Sequence, residues 1–177
     1  MRPAVFLDRD GVINHTIVRE GRPFAPTNQD EFSIIDGVPD ALHTLHKAGF
    51  LLIIVTNQPD VARGVISKGV VESFHQDLLK AFPLDAIKVC YETEESGSPL
   101  YKPRPGMLLE AKEEYDIDLT KSFMVGDRWR DVGCGRAAGC FTIFIDYGYQ
   151  EQLREAPDAI CRGLQEAVPI ILRHARA

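Results

Sequence analysis

Two aspartates separated by a single residue, Asp8 and Asp10 in FLDRDGVIN, follow directly on the apolar run AVFL at residues 4–7. On an extended segment, residues two apart project to the same side, so both carboxylates can address one point. Such a pair repels itself, and one acid keeps its proton unless a cation lies between them. A hard divalent ion such as Mg²⁺ suits them, because it takes oxygen ligands and keeps several waters. Gly11 lets the backbone turn away sharply. A solvated turn would carry the same residues, so the pair gains meaning only from what accompanies it.

Three further segments accompany it. Thr56, Asn57 and Gln58 end the apolar run that begins at residue 51, and neutral hydroxyl and amide groups can hold phosphate oxygens without moving protons. Lys102 in YKPRPGM precedes a Pro-x-Pro segment; so placed, its compact charge can neutralise a phosphate or a carboxylate. Asp127 follows Gly126, and Asp131 stands one helical turn further on. This second acid pair can complete the ligands of an octahedral cation, although Asp131 would equally suit a helix N-terminus.

The elements that must position these residues alternate in type. Residues 4–7, 51–55, 86–91, 122–126 and 141–145 read as strands, and the unbroken LLIIV suits a strand covered on both faces. Between them lie helix patterns over 36–50 (Pro39 in the first turn, Gly49 at the stop), from Ser67 onward with Val70, Phe74 and Leu78 on one face, over 105–115 and over 130–138. A closing helix is expected over 162–173, and residues 15–35 read as a long loop. Such alternation predicts an α/β fold, a three-layer Rossmann-like arrangement with a mostly parallel central sheet and no large cap. Ligands in such folds bind beyond the carboxyl ends of the strands, and each chemical segment stands at one. A single domain over residues 1–177 is expected.

Composition narrows the partners. The chain has 177 residues, 45% apolar and 26% charged, with a formal net charge of −6. An acidic protein is repelled by a phosphate backbone, which argues against nucleic acid. A small phosphorylated substrate would then need a local cation or metal. No apolar run is long enough to span a bilayer, the N-terminus, with two acids in its first ten residues, is not expected to act as a signal peptide, and Cys90, Cys134, Cys140 and Cys161 lack metal-motif spacing. Cytoplasmic residence is the expectation, and the oligomeric state is left open.

Taken together and in this order, FLDRDGVIN, VTNQ…ARG, KPRPGM and MVGDRWRD resemble the haloacid-dehalogenase-like phosphatases. Within them the sequence is similar to the small cap-less branch of heptose 1,7-bisphosphate and histidinol phosphatases. The resemblance implies that Asp8 is the nucleophile that forms an aspartyl-phosphate. Asp10 would protonate the leaving oxygen and then activate water. Thr56 and Asn57 would hold the phosphoryl group, with Lys102 neutralising it. Mg²⁺ would be held by Asp8, Asp127 and the Asp10 backbone carbonyl. Arg63, Arg104 and Arg128 match basic positions around the family's pocket as candidate substrate contacts, and Asp131 would support Lys102 or the metal.

The sequence also leaves the family pattern. Many heptose-bisphosphate phosphatases carry a zinc loop; here Cys90 stands at the first ligand position, but Glu92, Ser98 and Leu100 replace the other ligands. One thiol cannot hold structural zinc, so none is expected. Tyr101 stands where an arginine precedes the lysine. The leading expectation is a Mg²⁺-dependent phosphatase acting on a sugar phosphate such as D-glycero-D-manno-heptose 1,7-bisphosphate. Histidinol phosphate, a nucleotide or a 3′-phosphorylated nucleic-acid end are alternative substrates. A non-catalytic module that binds phospho-ligands is the alternative class.

Overall fold

Strands form where the apolar runs stand, and the intervening patterns wind into helices. The computed structural model describes residues 1–176. In chain order these form β1 (Ala4–Leu7), a hairpin of β2 (Ile17–Arg19) and β3 (Arg22–Phe24), α1 (Val38–Lys47), β4 (Leu51–Asn57), α2 (Lys68–Ala81) and β5 (Ala86–Cys90). The chain continues through α3 (Gly106–Tyr115), β6 (Phe123–Gly126), α4 (Trp129–Ala138), β7 (Phe141–Ile145), β8 (Ala159–Cys161) and α5 (Leu164–His174).

Six strands pair in parallel in the order β5-β4-β1-β6-β7-β8. Both sheet faces are covered, which the period of two in β1 makes visible. Val5 and Leu7 pack with Leu42 and Leu45 of α1 and Ile171 of α5, whereas Ala4 and Phe6 pack with Met107 and Leu108 of α3 and Cys134 of α4. Three layers result.

This order places the site. From β1 the chain builds outward one way through β4 and β5, then returns to build the other way through β6, β7 and β8. Crevices at such a reversal of strand order are where ligands bind in open α/β sheets. Leu7 pairs with Ile54 on one side and Val125 on the other. Asp8 and Asp127 therefore leave the sheet side by side, next to Thr56 and Asn57 at the end of β4.

Three expectations need correction. Residues 15–35 are not one loop: they hold the β2–β3 hairpin and a 3-10 turn over Gln29–Glu31. Gly21 and Pro23 looked like breakers, yet Glu20 and Gly21 both take positive φ (50° and 72°), the two-residue turn that suits a twisted hairpin. β8 was not expected. It is three residues long, and it forms because β7 offers an open edge while the Asp158 carboxylate ties the Thr142 amide and hydroxyl. On α2 the buried stripe is Val71, Phe74, His75 and Leu78, with Val70 turned outward.

Candidate active site

Lys102 is the hub. Only 2% exposed, its ammonium donates to Asp8 Oδ1 (2.9 Å), Asp131 Oδ1 (2.6 Å) and the Val55 carbonyl (2.8 Å). Three donors meet three acceptors, so the buried charge is fully satisfied. Burial by itself would lower the lysine pKa, but Asp131 and Asp8 outweigh it and raise it above the ordinary value. The Asn57 amide clasps the Lys102 backbone, donating to its carbonyl (3.1 Å) and accepting from its N–H (3.0 Å). Asp131 uses its other oxygen on the Arg128 N–H (3.0 Å) at the start of α4. Both its oxygens are engaged, which makes it the anchor of Lys102.

Asp10 is held differently. Its Oδ1 accepts from Arg9 Nη2 (2.9 Å), Arg9 Nε (3.2 Å) and Asn14 Nδ2 (2.9 Å), and its Oδ2 accepts from Gln58 Nε2 (2.8 Å). Burial would raise this carboxyl, but Arg9 and these hydrogen bonds prevail and hold it below the usual range. Arg9 is fully buried against the stacked rings of Phe32 and Phe74, and it donates from Nη1 to His75 Nε2 at 3.0 Å. Burial, with Arg9 beside it, pushes His75 down to about 4, so it stays neutral and can accept that bond.

Asp8 and Asp127 carry the marks of a cation site. With Asp131 they present carboxylate oxygens within 4.8 Å of one another. Burial, then Asp131, raises Asp8 to about 7; burial, then Asp8 and Asp131, raises Asp127 well above its usual value. Asp8 takes both of its hydrogen bonds, from the Arg9 N–H and Lys102, on Oδ1. Asp127 Oδ2 accepts from the Tyr149 hydroxyl (2.9 Å), whereas Oδ1 is buried and has no hydrogen-bond partner. An orphaned carboxylate oxygen beside a second acid is a donor set that fits a hard divalent ion.

The turn after β1 allows this close approach. Gly11 has φ +84°, and a Cβ there would stand 2.0 Å from Asp127 Oδ2. Gly11→Ala should therefore lose about 1–2 kcal/mol from the left-handed backbone alone, a fall in melting temperature of roughly 2–8 °C. Divalent-ion binding should weaken as Asp127 is displaced; a variant that melts and binds metal like the wild type would contradict this geometry.

These residues surround a cavity of about 320 Å³, the size of a small-metabolite site. Thr16, Pro23 and Phe24 of the hairpin form one wall. Six carboxylates and four basic side chains line it, a formal excess of two negative charges. The lining arginines are already paired: Arg63 with Asp60 (3.3 Å), Arg128 with Glu151 (2.5 Å) and Arg130 with Glu94 (2.5 Å). A phosphate dianion would be repelled from such a cavity until a cation entered. Arg130 also lies over the Trp129 and Tyr101 rings, so that stack and the Glu94 pair hold the rim loop that carries Tyr101.

Asp8, Asp10, Asn57, Arg63, Lys102, Asp127, Arg128 and Asp131 all face this cavity. Two expected contacts do not. Thr56 is fully buried, with its hydroxyl accepting from Gln58 Nε2 (2.9 Å). Arg104 is exposed and donates to the Ser98 carbonyl (3.1 Å) instead; it stands beyond the strand end, where the Pro103–Pro105 bend carries it outward. Sequence reasoning missed Arg9, His75, Gln58's hold on Asp10, Arg130 and Tyr149. His75 had a signal, its place among the buried residues of α2; Tyr149 had none.

Comparison with known proteins agrees with this architecture. Residues 100–167 match the HAD-hydrolase-like family model. A D-glycero-D-manno-heptose-1,7-bisphosphate 7-phosphatase of Thermosynechococcus vestitus is 34% identical over 98% of this chain and 97% of its own. A D-glycero-beta-D-manno-heptose-1,7-bisphosphate 7-phosphatase of Photorhabdus laumondii is 40% identical over 73% of this chain and 72% of its own. The crystal structure of the D,D-heptose 1,7-bisphosphate phosphatase of B. bronchiseptica, complexed with magnesium and phosphate, superposes with a TM-score of 0.82 at 28% identity, covering 98% of this chain and 99% of that one. With a relative 34% identical over nearly the full length of both chains and a superposable fold, this chain belongs to the haloacid-dehalogenase-like phosphatases, in the family of the heptose 1,7-bisphosphate phosphatases.

Proposed function

We propose that this chain is a Mg²⁺-dependent phosphomonoesterase that hydrolyses D-glycero-D-manno-heptose 1,7-bisphosphate, with Asp8 as nucleophile and Asp10 as acid and base. The observation that carries it is the division of labour at Asp8: Oδ1 is bound to Lys102, and Oδ2 is left for chemistry beside the orphaned Asp127 oxygen. The relatives' names supply the sugar, since 34–40% identity extends over most of the chain.

Asp8, Asp127 and the Asp10 backbone carbonyl would hold the ion. Bound there, Mg²⁺ would polarise the phosphoryl oxygens and offset the cavity's negative charge. Asp8 Oδ2 would attack phosphorus while the bond to the sugar oxygen breaks, with Lys102 holding the nucleophile in line. Held as an anion by Arg9, Asn14 and Gln58, Asp10 is set for the second half, taking a proton from the water that attacks the aspartyl-phosphate. In the first half it would have to carry a proton to the leaving oxygen, which requires its side chain to turn off Arg9 toward the cavity. Arg63 and Arg128 would meet the rest of the substrate by exchanging their present carboxylate partners.

The cavity's volume favours a metabolite over a nucleic-acid end, and the four cysteines, free and buried, support residence in a reducing compartment. Among the described residues no helix is long and apolar enough to cross a membrane. We further propose that no zinc is held, because Cys90 brings no second thiol with it; stoichiometric zinc in the purified protein would refute this.

Phosphate release from heptose 1,7-bisphosphate, histidinol phosphate and nucleoside monophosphates, each with Mg²⁺ and with EDTA, tests the reading. Heptose bisphosphate should give the highest kcat/KM, and chelation should reduce it by at least about 10³-fold, since several kcal/mol of charge stabilisation is lost. Preference for histidinol phosphate or a nucleotide would replace the substrate but keep the chemistry. Full activity in EDTA would sink both.

A further inference from the structure

We propose that Tyr149 sets how Asp127 meets its cation, tying one carboxylate oxygen so that only the other can bind, and that this tether favours Mg²⁺ over Ca²⁺. The inference rests on the metal reading above and adds a residue to it.

The two oxygens of Asp127 live in different surroundings. Oδ2 accepts from the Tyr149 hydroxyl at 2.9 Å and lies against Gly11, where even a methyl group would collide with it. Oδ1 is buried and has no donor. Facing a carboxylate oxygen, the Tyr149 phenol is the donor, and its one proton goes to Asp127. With that proton committed, the Thr16 hydroxyl, 3.2 Å away, is left to donate to the phenol.

Tyr149 is itself held firmly. Its ring packs on Tyr147, with centroids 5.5 Å apart, and Tyr147 donates its hydroxyl to the Gly11 carbonyl at 2.8 Å. The segment after β7 thus grips the turn after β1 and the Asp127 carboxylate with two adjacent tyrosines. Such a tether fixes the orientation of a ligating carboxylate, and outer groups of this kind commonly contribute 10–100-fold to metal affinity.

The selectivity follows from ionic size. Mg²⁺ demands near-octahedral geometry at short distances and is content with one oxygen per carboxylate. Ca²⁺ takes six to eight oxygens at longer distances and often gathers two from one carboxylate. At Asp127 the second oxygen can be offered only by breaking the Tyr149 bond and moving away from Gly11. The tether therefore withholds a ligand that Ca²⁺ would use and Mg²⁺ would not.

The test is calorimetric titration of metal-free protein with MgCl₂ and, separately, CaCl₂, comparing wild type with Tyr149→Phe, which keeps the ring on Tyr147. Mg²⁺ affinity should fall roughly 10–100-fold while Ca²⁺ affinity holds or rises, so the preference narrows by at least about tenfold. Equal losses for both ions, or no loss, would overturn the role of Tyr149. A wild type that binds no Mg²⁺ would overturn the metal reading and this inference together, whereas tight wild-type binding unchanged in Tyr149→Phe overturns only this one. Should Tyr149→Phe fail to fold in EDTA, Thr16→Val removes the phenol's other partner. It should narrow the Mg²⁺ preference by a smaller factor, and an unchanged preference would count against the tether.

Discussion

Asp8→Asn should lose at least about 10⁴-fold in kcat, because an amide cannot form the aspartyl-phosphate and only positioning by the other groups remains. The same substitution should make the metal-free protein more heat-stable near neutral pH. Asp8 is buried with Asp127 and Asp131 close by, and burial first, then Asp131, raises its carboxyl to about 7. A carboxyl whose folded pKa lies above the unfolded value contributes stability below about pH 4 and loses it as pH rises through about 7. Asp127, raised for the same reasons, acts in the same direction. His75 acts oppositely: its depressed pKa gives stability that is present above about 6.5 and lost as pH falls through about 4. Melting temperatures of the two proteins in EDTA across pH 5 to 8.5 separate these effects, since His75 is common to both. The advantage of Asp8→Asn should grow with pH and shrink when Mg²⁺ is added to the wild type. An advantage that is absent, or that falls with pH, would mean that the acids are not crowded as described.

Lys102→Met should damage the fold as well as the chemistry. It strands the Asp8 and Asp131 carboxylates and the Val55 carbonyl, all of which Lys102 now satisfies inside the protein. Removing one partner of a buried ion pair costs about 3–5 kcal/mol, because the other charge is left uncompensated, a fall in melting temperature of roughly 6–20 °C. Turnover should drop by at least about 10²–10³-fold through loss of a positioned cation at the developing charge. Adding Asp131→Asn to Lys102→Met should restore part of the stability and none of the activity, since it removes a stranded charge but supplies no cation. Thermal unfolding of the two variants in EDTA decides this. A double variant no more stable than the single one would show that Asp131 is not held by Lys102. The contrast with Asp8→Asn is diagnostic, because losing an acid from this cluster relieves it and losing its lysine does not.

The central strands were legible because a strand covered on both faces must be apolar throughout, as LLIIV is. The placement of the chemistry was legible for a related reason. Where the apolar runs of β1 and β6 stop, the chain leaves the sheet, and the polar side chains that follow, Asp8 and Asp127, face the crevice. The hairpin and β8 were not legible: each strand has three residues, too few to show a period, and each exists through its pairing partner. Arg104 shows the converse limit, since a basic residue near the site in sequence turned to a carbonyl outside the cavity.

Sequence alone placed the residues that could do chemistry at the ends of apolar runs, because local period and strand ends are properties of short segments, whereas the strand order that brings those ends together is not. Only the tertiary structure decided how the work is divided among them. Lys102 reaches across 94 residues to Asp8, Arg9 turns away from the cavity to grip Asp10 and His75, and Tyr149 takes one oxygen of Asp127 and leaves the other bare. Each of these choices is made by a buried polar group that must find its partner wherever the packing of helices on the sheet brings one within reach, and no spacing along the chain encodes that distance.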